Sequence, residues 1–158
     1  MPASMLVRPA RPEDAPAVQD LYRQLVQGDN NIRVDPQRLA ELANHASNRL
    51  FVVERDGVVC GTAFVTLCLD PMYGFAPFAV AEHIIVAADA RKTGAGRALM
   101  AAIEDHARAA RCTRLGFMSS AFRTEAHAFF THMGYDGEKK RGFVKYLNRV
   151  PPLRATPA

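Results

Sequence analysis

The stretch from Ala81 to Met100 constrains this chain more than any other part of it. Ala81-Glu82-His83-Ile84-Ile85-Val86 is an apolar run of strand length interrupted by one acid and one imidazole. Ala87 to Ala90 makes a short connection, and Arg91-Lys92-Thr93-Gly94-Ala95-Gly96-Arg97 a basic loop with two glycines. Leu99, Ala102, Ile103, His106 and Ala110 then recur at helical spacing. The pattern is strand, loop and helix N-terminus. Glycines at 94 and 96 let a ligand approach the backbone closely. The first turn of a helix offers free N–H groups and a positive dipole end, worth up to about 2 kcal/mol to a well-placed anion. With Arg91, Lys92 and Arg97 around the same point, the expected ligand is a pyrophosphate. The loop lacks the Lys-Ser/Thr of a P-loop and is not a G-x-G-x-x-G dinucleotide fingerprint.

Charge supports an anionic ligand in this half of the chain. Residues 1–90 carry seven Lys/Arg against eleven Asp/Glu, whereas residues 91–158 carry thirteen against five. The excess begins at the glycine loop and would attract a polyphosphate. Basic residues are scattered apart from Lys139-Lys140-Arg141, and no nucleic-acid motif accompanies them, so the pattern does not point to nucleic acid. At 158 residues the expectation is a single domain over residues 1–150 with a flexible proline-rich tail at 151–158. No apolar run approaches the roughly 20 residues of a membrane span, and residues 1–10 have no signal-peptide core. Cys60, Cys68 and Cys112 are odd in number and lack metal-ligand spacing. The resulting expectations are a cytoplasmic protein with buried thiols and no metal.

Met5 to Pro9 reads as a first strand, and Val18, Leu21, Tyr22 and Leu25 as one face of a helix entered through Pro12-Glu13-Asp14. After a polar break from Gly28 to Asp35, Leu39, Leu42, Ala43 and Ala46 suggest a second helix. Leu50 to Arg55 and Val58 to Leu69 are strand-like, and Asp56-Gly57 between them is a hairpin turn signal. An aromatic loop, Met72 to Phe78, leads into a central strand, Phe78 to Val86, expected to be covered on both faces. Strict alternation would put Glu82 with Val80 and Ile84 on one face, and His83 with Ala81 and Ile85 on the other. Thr113 to Ser119 and Arg141 to Leu147 read as two further strands. Between them Ala126, Phe129, Phe130 and Met133 share a helical face that Gly134 ends.

Two of these segments together resemble the GNAT superfamily of N-acetyltransferases. Arg91-x-x-Gly94-x-Gly96 is similar to its acetyl-CoA motif, Arg/Gln-x-x-Gly-x-Gly/Ala. Arg123 to Tyr135 is similar to its second signature, with Arg123 at an Asn position, Phe130 at a Tyr position and Gly134-Tyr135 in place of Gly-Phe. The resemblance implies an α/β (α+β) fold with a mixed, mostly antiparallel six- to seven-stranded sheet, about four helices, and strands splayed at the cofactor site. It implies acetyl-CoA as co-substrate and a small-molecule, amino-acid or peptide amine as acceptor. The cofactor residues would be Ile84, Ile85, Val86, Arg91, Lys92, Thr93, Gly94, Ala95, Gly96, Arg97, Arg123, Phe129 and Phe130. Glu82 and His83 are the two candidate bases, and the Val86 N–H the candidate oxyanion donor. Asn31, Arg33, Tyr73 and Phe75 lie in loops that could touch the acceptor. The fold is also compatible with a homodimer.

Phe130 matters for the chemistry, because the family's tyrosine donates to the departing thiol and phenylalanine cannot. A thiol has a pKa of about 8.5, so releasing a thiolate at neutral pH lies only about 2 kcal/mol uphill. Losing that donor would slow transfer rather than forbid it. Ser119, Ser120, Tyr73 and Tyr146 are the hydroxyls that could substitute.

Overall fold

The computed structural model describes residues 1–147, so the expected tail at 151–158 lies outside the described residues. The chain divides into two compact units, Met1–Phe117 and the residues from Met118 onward.

The first unit is a five-stranded sheet in the order β1-β2-β3-β4-β5, with β1 Met5–Pro9, β2 Asn48–Arg55, β3 Val58–Cys68, β4 Phe78–Val86 and β5 Leu115–Phe117. The first four strands pair antiparallel, and β5 is parallel to β4. Asp56-Gly57 makes the β2–β3 turn with φ of 52° and 79°, as its turn chemistry demands. The helices are α1 Ala15–Leu25, α2 Pro36–Ala43 and α3 Ala95–Ala109 in this unit, and α4 Thr124–His132 in the second.

Alternation along β2 sorts the helices onto two faces. Leu50 and Val52 join Ala10, Ala15, Val18 and Leu39 in one buried cluster, edged by Tyr22, Leu42 and Phe64, so α1 and α2 cover that face. Phe51, between Leu50 and Val52, meets His106 of α3 edge-on at 5.5 Å, which places α3 on the opposite face. Leu99, Met100 and Ile103 of α3 are fully buried. Beneath α1, Arg8 of β1 joins Asp14 at 2.8 Å and also pairs with Glu54 of β2, stapling the start of the helix to the sheet edge.

Among the described residues the expected sheet of six to seven strands is corrected to five, because residues 141–147 carry no strand. A strand needs a neighbour for its backbone groups and an apolar face to bury. Here Phe143, Val144, Tyr146 and Leu147 are 62–91% exposed, so their spacing meets no burying surface. β5 is also shorter than the seven residues expected.

In the second unit, α4 ends in a Schellman motif. Tyr135 N–H donates to Phe130 C=O and Gly134 N–H to Thr131 C=O, both at 3.0 Å, with Gly134 at φ 95°. Phe130 is buried and its ring packs against Phe129 at 5.5 Å and Tyr135 at 6.4 Å.

Candidate active site

The site is built on a fault in β4. Phe64 of β3 pairs with Glu82, but the next pairing joins Thr62 to Ile85, so three steps on β4 answer two on β3. One extra residue is inserted, a β-bulge, and His83 takes it up at φ 54°. Strict alternation is therefore wrong here. Glu82 lies opposite Phe64, and the His83 ring meets Tyr22 of α1 edge-on at 5.3 Å. Phe64 and Tyr22 edge the same cluster, so both candidate bases lie on the α1–α2 side, where the sequence put them on opposite faces. Ile85 returns to Glu82's face through its partner Thr62, which pairs in turn with Val52. The strand is also less covered than expected: Glu82 is half-buried and His83 exposed.

β5 pairs only with Ala79, Val80 and Ala81, and leaves the sheet at Phe117, while β4 continues for five more residues. Upstream of Val86 the ladder with β3 sets the direction of the backbone. Ala87 N–H donates to Cys60 C=O at 2.8 Å, so by antiparallel alternation the preceding residue turns its N–H and C=O to the other edge. The Val86 carbonyl accepts from Arg91 Nε at 3.4 Å on that edge. A close approach makes the bend fit: a Cβ on Gly61, opposite Val86, would stand 2.8 Å from Val53 Cγ1 and 3.0 Å from the Ile85 carbonyl oxygen.

The loop beyond β4 is held at both ends. Gln24 Oε1, near the end of α1, accepts from Ala88 N–H at 3.3 Å, and Thr93 Oγ1 donates to Ala90 C=O at 2.6 Å. Lys92 at φ 62° and Gly94 at φ 96° then turn the chain into α3, with Gly94 as its N-cap residue. A Cβ on Gly94 would meet nothing within 4 Å, so the backbone angle requires glycine there and the space beside it is open. Ala95 is fully buried and seats the first turn, whereas Arg91, Lys92 and Arg97 are exposed around it. Backbone turned outward, a 15-residue helix N-terminus and three cations make a cradle suited to an anion such as a pyrophosphate.

Ile84, Ile85, Val86 and the 91–97 loop are thus gathered at one end of β4. Asn31 and Arg33 lie in the connection that leaves α1 beside this loop, a connection pinned back by Gln19 Oε1 accepting from Val34 N–H at 3.0 Å. Tyr73 and Phe75, 61% and 105% exposed, precede the other end of β4. Eight residue steps at about 3.3 Å separate Phe78 from Val86, roughly 26 Å along the strand. Arg123, Phe129 and Phe130 belong to the second unit. Burial pushes the Cys60 and Cys112 thiols up, which opposes a nucleophilic role for either. Sequence reasoning missed three supports: Tyr22, which it placed only in a helical core face, Gln24 and Gly61. Burial also drives the Tyr22 hydroxyl up to about 12, so it is a neutral wall beside His83.

Residues 15–135 match the family model described as the acetyltransferase (GNAT) family. The chain belongs to this family. No curated protein matches it. Among solved structures, it is similar to glucosamine-6-phosphate N-acetyltransferase from Arabidopsis thaliana, with TM-score 0.75, 18% identity, and coverage of 92% of this chain and 99% of that one. It is also similar to aminoglycoside N-acetyltransferase AAC(6')-Iy in complex with CoA, with TM-score 0.74, 20% identity, and coverage of 93% and 96%. A transcriptional regulator from Bacillus halodurans aligns with TM-score 0.79, 18% identity, and coverage of 90% and 100%. At these identities the likeness is one of fold. Among the described residues of this GNAT protein, no helix is long and apolar enough to cross a membrane.

Proposed function

We propose that this GNAT protein is an acetyl-CoA-dependent N-acetyltransferase, a single catalytic domain that transfers an acetyl group to a primary amine of a small molecule, amino acid or peptide by direct attack. The observation that carries the reading is the conjunction at the end of β4: a bulge, an edge that β5 abandons after Ala81, and a left-handed glycine opening α3. In this reading the 91–97 loop holds the pyrophosphate, and the outer edge of residues 84–86 receives the pantetheine amides as a strand would. The resemblance adds Arg123, Phe129 and Phe130 as proposed cofactor residues, and Asn31, Arg33, Tyr73 and Phe75 as proposed acceptor residues.

The amine nitrogen, once deprotonated, attacks the thioester carbonyl carbon. The carbon–sulfur bond breaks as the carbon–nitrogen bond forms, and the sulfur leaves as a thiolate. The Val86 N–H, turned away from β3, is positioned to donate to the developing oxyanion. Glu82 or His83 takes the ammonium proton directly or through water; the bulge puts both on one side of the sheet, so either can serve the same acceptor. An amine of pKa about 10.4 must give up its proton about three units uphill at neutral pH, and an α-amine near 8 only about one, so acceptors of lower pKa are favoured.

The test is calorimetric titration with acetyl-CoA, followed by an amine screen read by thiol release and by mass of the acetylated product. The expected result is binding that the Arg91→Ala/Gly94→Asp double variant abolishes. Absence of binding to the parent protein would overturn the reading. A second reading, an inactive acyl-CoA-binding protein of the same fold, is favoured by Phe130, which has no hydroxyl to offer sulfur. Binding without acetylated product from any amine would select it.

A further inference from the structure

Tyr22 links α1 to β4. Its ring meets that of His83 edge-on, with centroids 5.3 Å apart and planes at 61°, an arrangement that aromatic pairs favour. Both partners are fixed from elsewhere. Val18 and Leu21, on the buried face of α1, seat the helix on the sheet, and Arg8 holds its start through Asp14. Gln24, two residues after Tyr22, accepts from Ala88 N–H at 3.3 Å and so ties the end of the helix to the chain five residues beyond His83. His83 is held by its backbone: it alone in β4 takes a left-handed φ, 54°, and a histidine stays in that region only where its surroundings over-determine it. It is nonetheless exposed, so an incoming amine can reach it.

Resting on the proposed acetyl transfer, we propose that Tyr22 is a positioning residue, whose ring holds the His83 imidazole where it takes the proton of the acceptor ammonium, while Glu82 attracts that ammonium without deprotonating it. Imidazole is the side chain whose proton exchange is centred nearest neutral pH, the condition for efficient general-base catalysis. A base must also be held in line with its proton, and an exposed side chain changes rotamer within nanoseconds unless something packs against it. The Tyr22 ring removes that freedom on one side. Burial drives its hydroxyl up to about 12, so it stays neutral and takes no proton itself. Among the described residues no Lys or Arg pairs with the half-buried Glu82 carboxylate, which leaves its charge for a cationic ligand. The ammonium gives its proton to the imidazole, and the nitrogen lone pair then attacks the thioester carbonyl. The carbon–sulfur bond breaks with its electron pair left on sulfur, and the exposed imidazolium returns the proton to solvent.

The test is a double-mutant cycle on Tyr22→Leu and His83→Gln, assayed with the best amine from the screen. In the parent, Tyr22→Leu should lower kcat about 3- to 10-fold, the weight of one aromatic edge contact, with KM for acetyl-CoA within about twofold. Tyr22→Phe, which keeps the ring, should restore most of the loss. In the His83→Gln background Tyr22→Leu should move kcat less than about twofold, because the group that Tyr22 positions is gone. His83→Gln alone should lower kcat about 100-fold or more, whereas Glu82→Gln should act mainly through a higher KM for the amine. Independently of turnover, the ring-proton resonances of His83 should move in Tyr22→Leu and stay close to those of the parent in Tyr22→Phe. If Tyr22→Leu does not fold, Tyr22→Met, a flexible chain without a ring, takes its place in the same cycle. Equal losses of kcat from Tyr22→Leu in both backgrounds would make the tyrosine structural, and a larger loss of kcat in Glu82→Gln than in His83→Gln would make the acid the base; either overturns the proposal. Failure of the parent protein to bind acetyl-CoA, or binding without acetylated product, would refute the acetyl-transfer reading itself, a result distinct from both because it is seen before any substitution.

Discussion

Glycine and alanine at position 83 should rank in the reverse of their usual strand order. At an ordinary strand position glycine is less stable than alanine by about 0.5–1 kcal/mol, because it loses more backbone freedom on folding. His83 sits at φ 54°, where a residue with a Cβ bears about 1–2 kcal/mol of steric cost. Both His83→Ala and His83→Gly lose the edge-on contact with Tyr22, about 0.5–1.5 kcal/mol for an aromatic pair. That term cancels between them. Alanine retains the backbone strain, whereas glycine relieves it at the entropic cost just given. His83→Gly should therefore be more stable than His83→Ala by about 0.5–1 kcal/mol. The same pair at Val80, three residues earlier on β4 and outside the left-handed positions, should give the ordinary order. Urea denaturation of the four variants reads the differences directly, with unchanged m-values as the check that the unfolded states are comparable. If His83→Ala equals or exceeds His83→Gly, His83 is not left-handed. The bulge would then be absent, and Glu82 and His83 would return to opposite faces.

Three further outcomes follow from named contacts. Gly94→Ala meets no atom but inherits φ 96°, so it should cost about 1–2 kcal/mol of stability and lower acetyl-CoA affinity at least about tenfold as the loop relaxes; unchanged affinity by calorimetry would remove the loop from the cofactor site. The hydrogen bonds from Arg8 hold the Asp14 carboxyl below its usual range. Its contribution to stability is therefore complete above the unfolded-state value near 4 and lost as pH falls through the lower folded value. Asp14→Asn should cost about 3 kcal/mol at pH 7 by leaving Arg8 half-paired, and should flatten the loss of stability below pH 4; equal acid sensitivity of parent and variant in denaturation curves would contradict it. Arg111 closes α3 at φ 59°, with its N–H donating to Arg108 C=O at 2.9 Å, so Arg111→Gly should raise the melting temperature by about 2–4 °C.

The elements of the first unit were legible because their signals are local. The limits of β4, Phe78 to Val86, follow from an apolar run stopped by a loop, and the β2–β3 hairpin from Asp56-Gly57. The glycine loop and the α3 face were equally readable, since left-handed turns and 3.6-residue periodicity are written residue by residue. What only the tertiary structure decided is where a pattern finds a partner. Residues 141–147 read as a strand in sequence, yet a strand exists only beside another, and Phe143, Val144, Tyr146 and Leu147 stand in solvent. Alternation in β4 likewise put Glu82 and His83 on opposite faces, and a single inserted residue, visible only in the register with β3, put them on the same one. Local conformation is set by each residue and its neighbours in sequence, whereas register, pairing and hydrogen-bond satisfaction are properties of two segments at once.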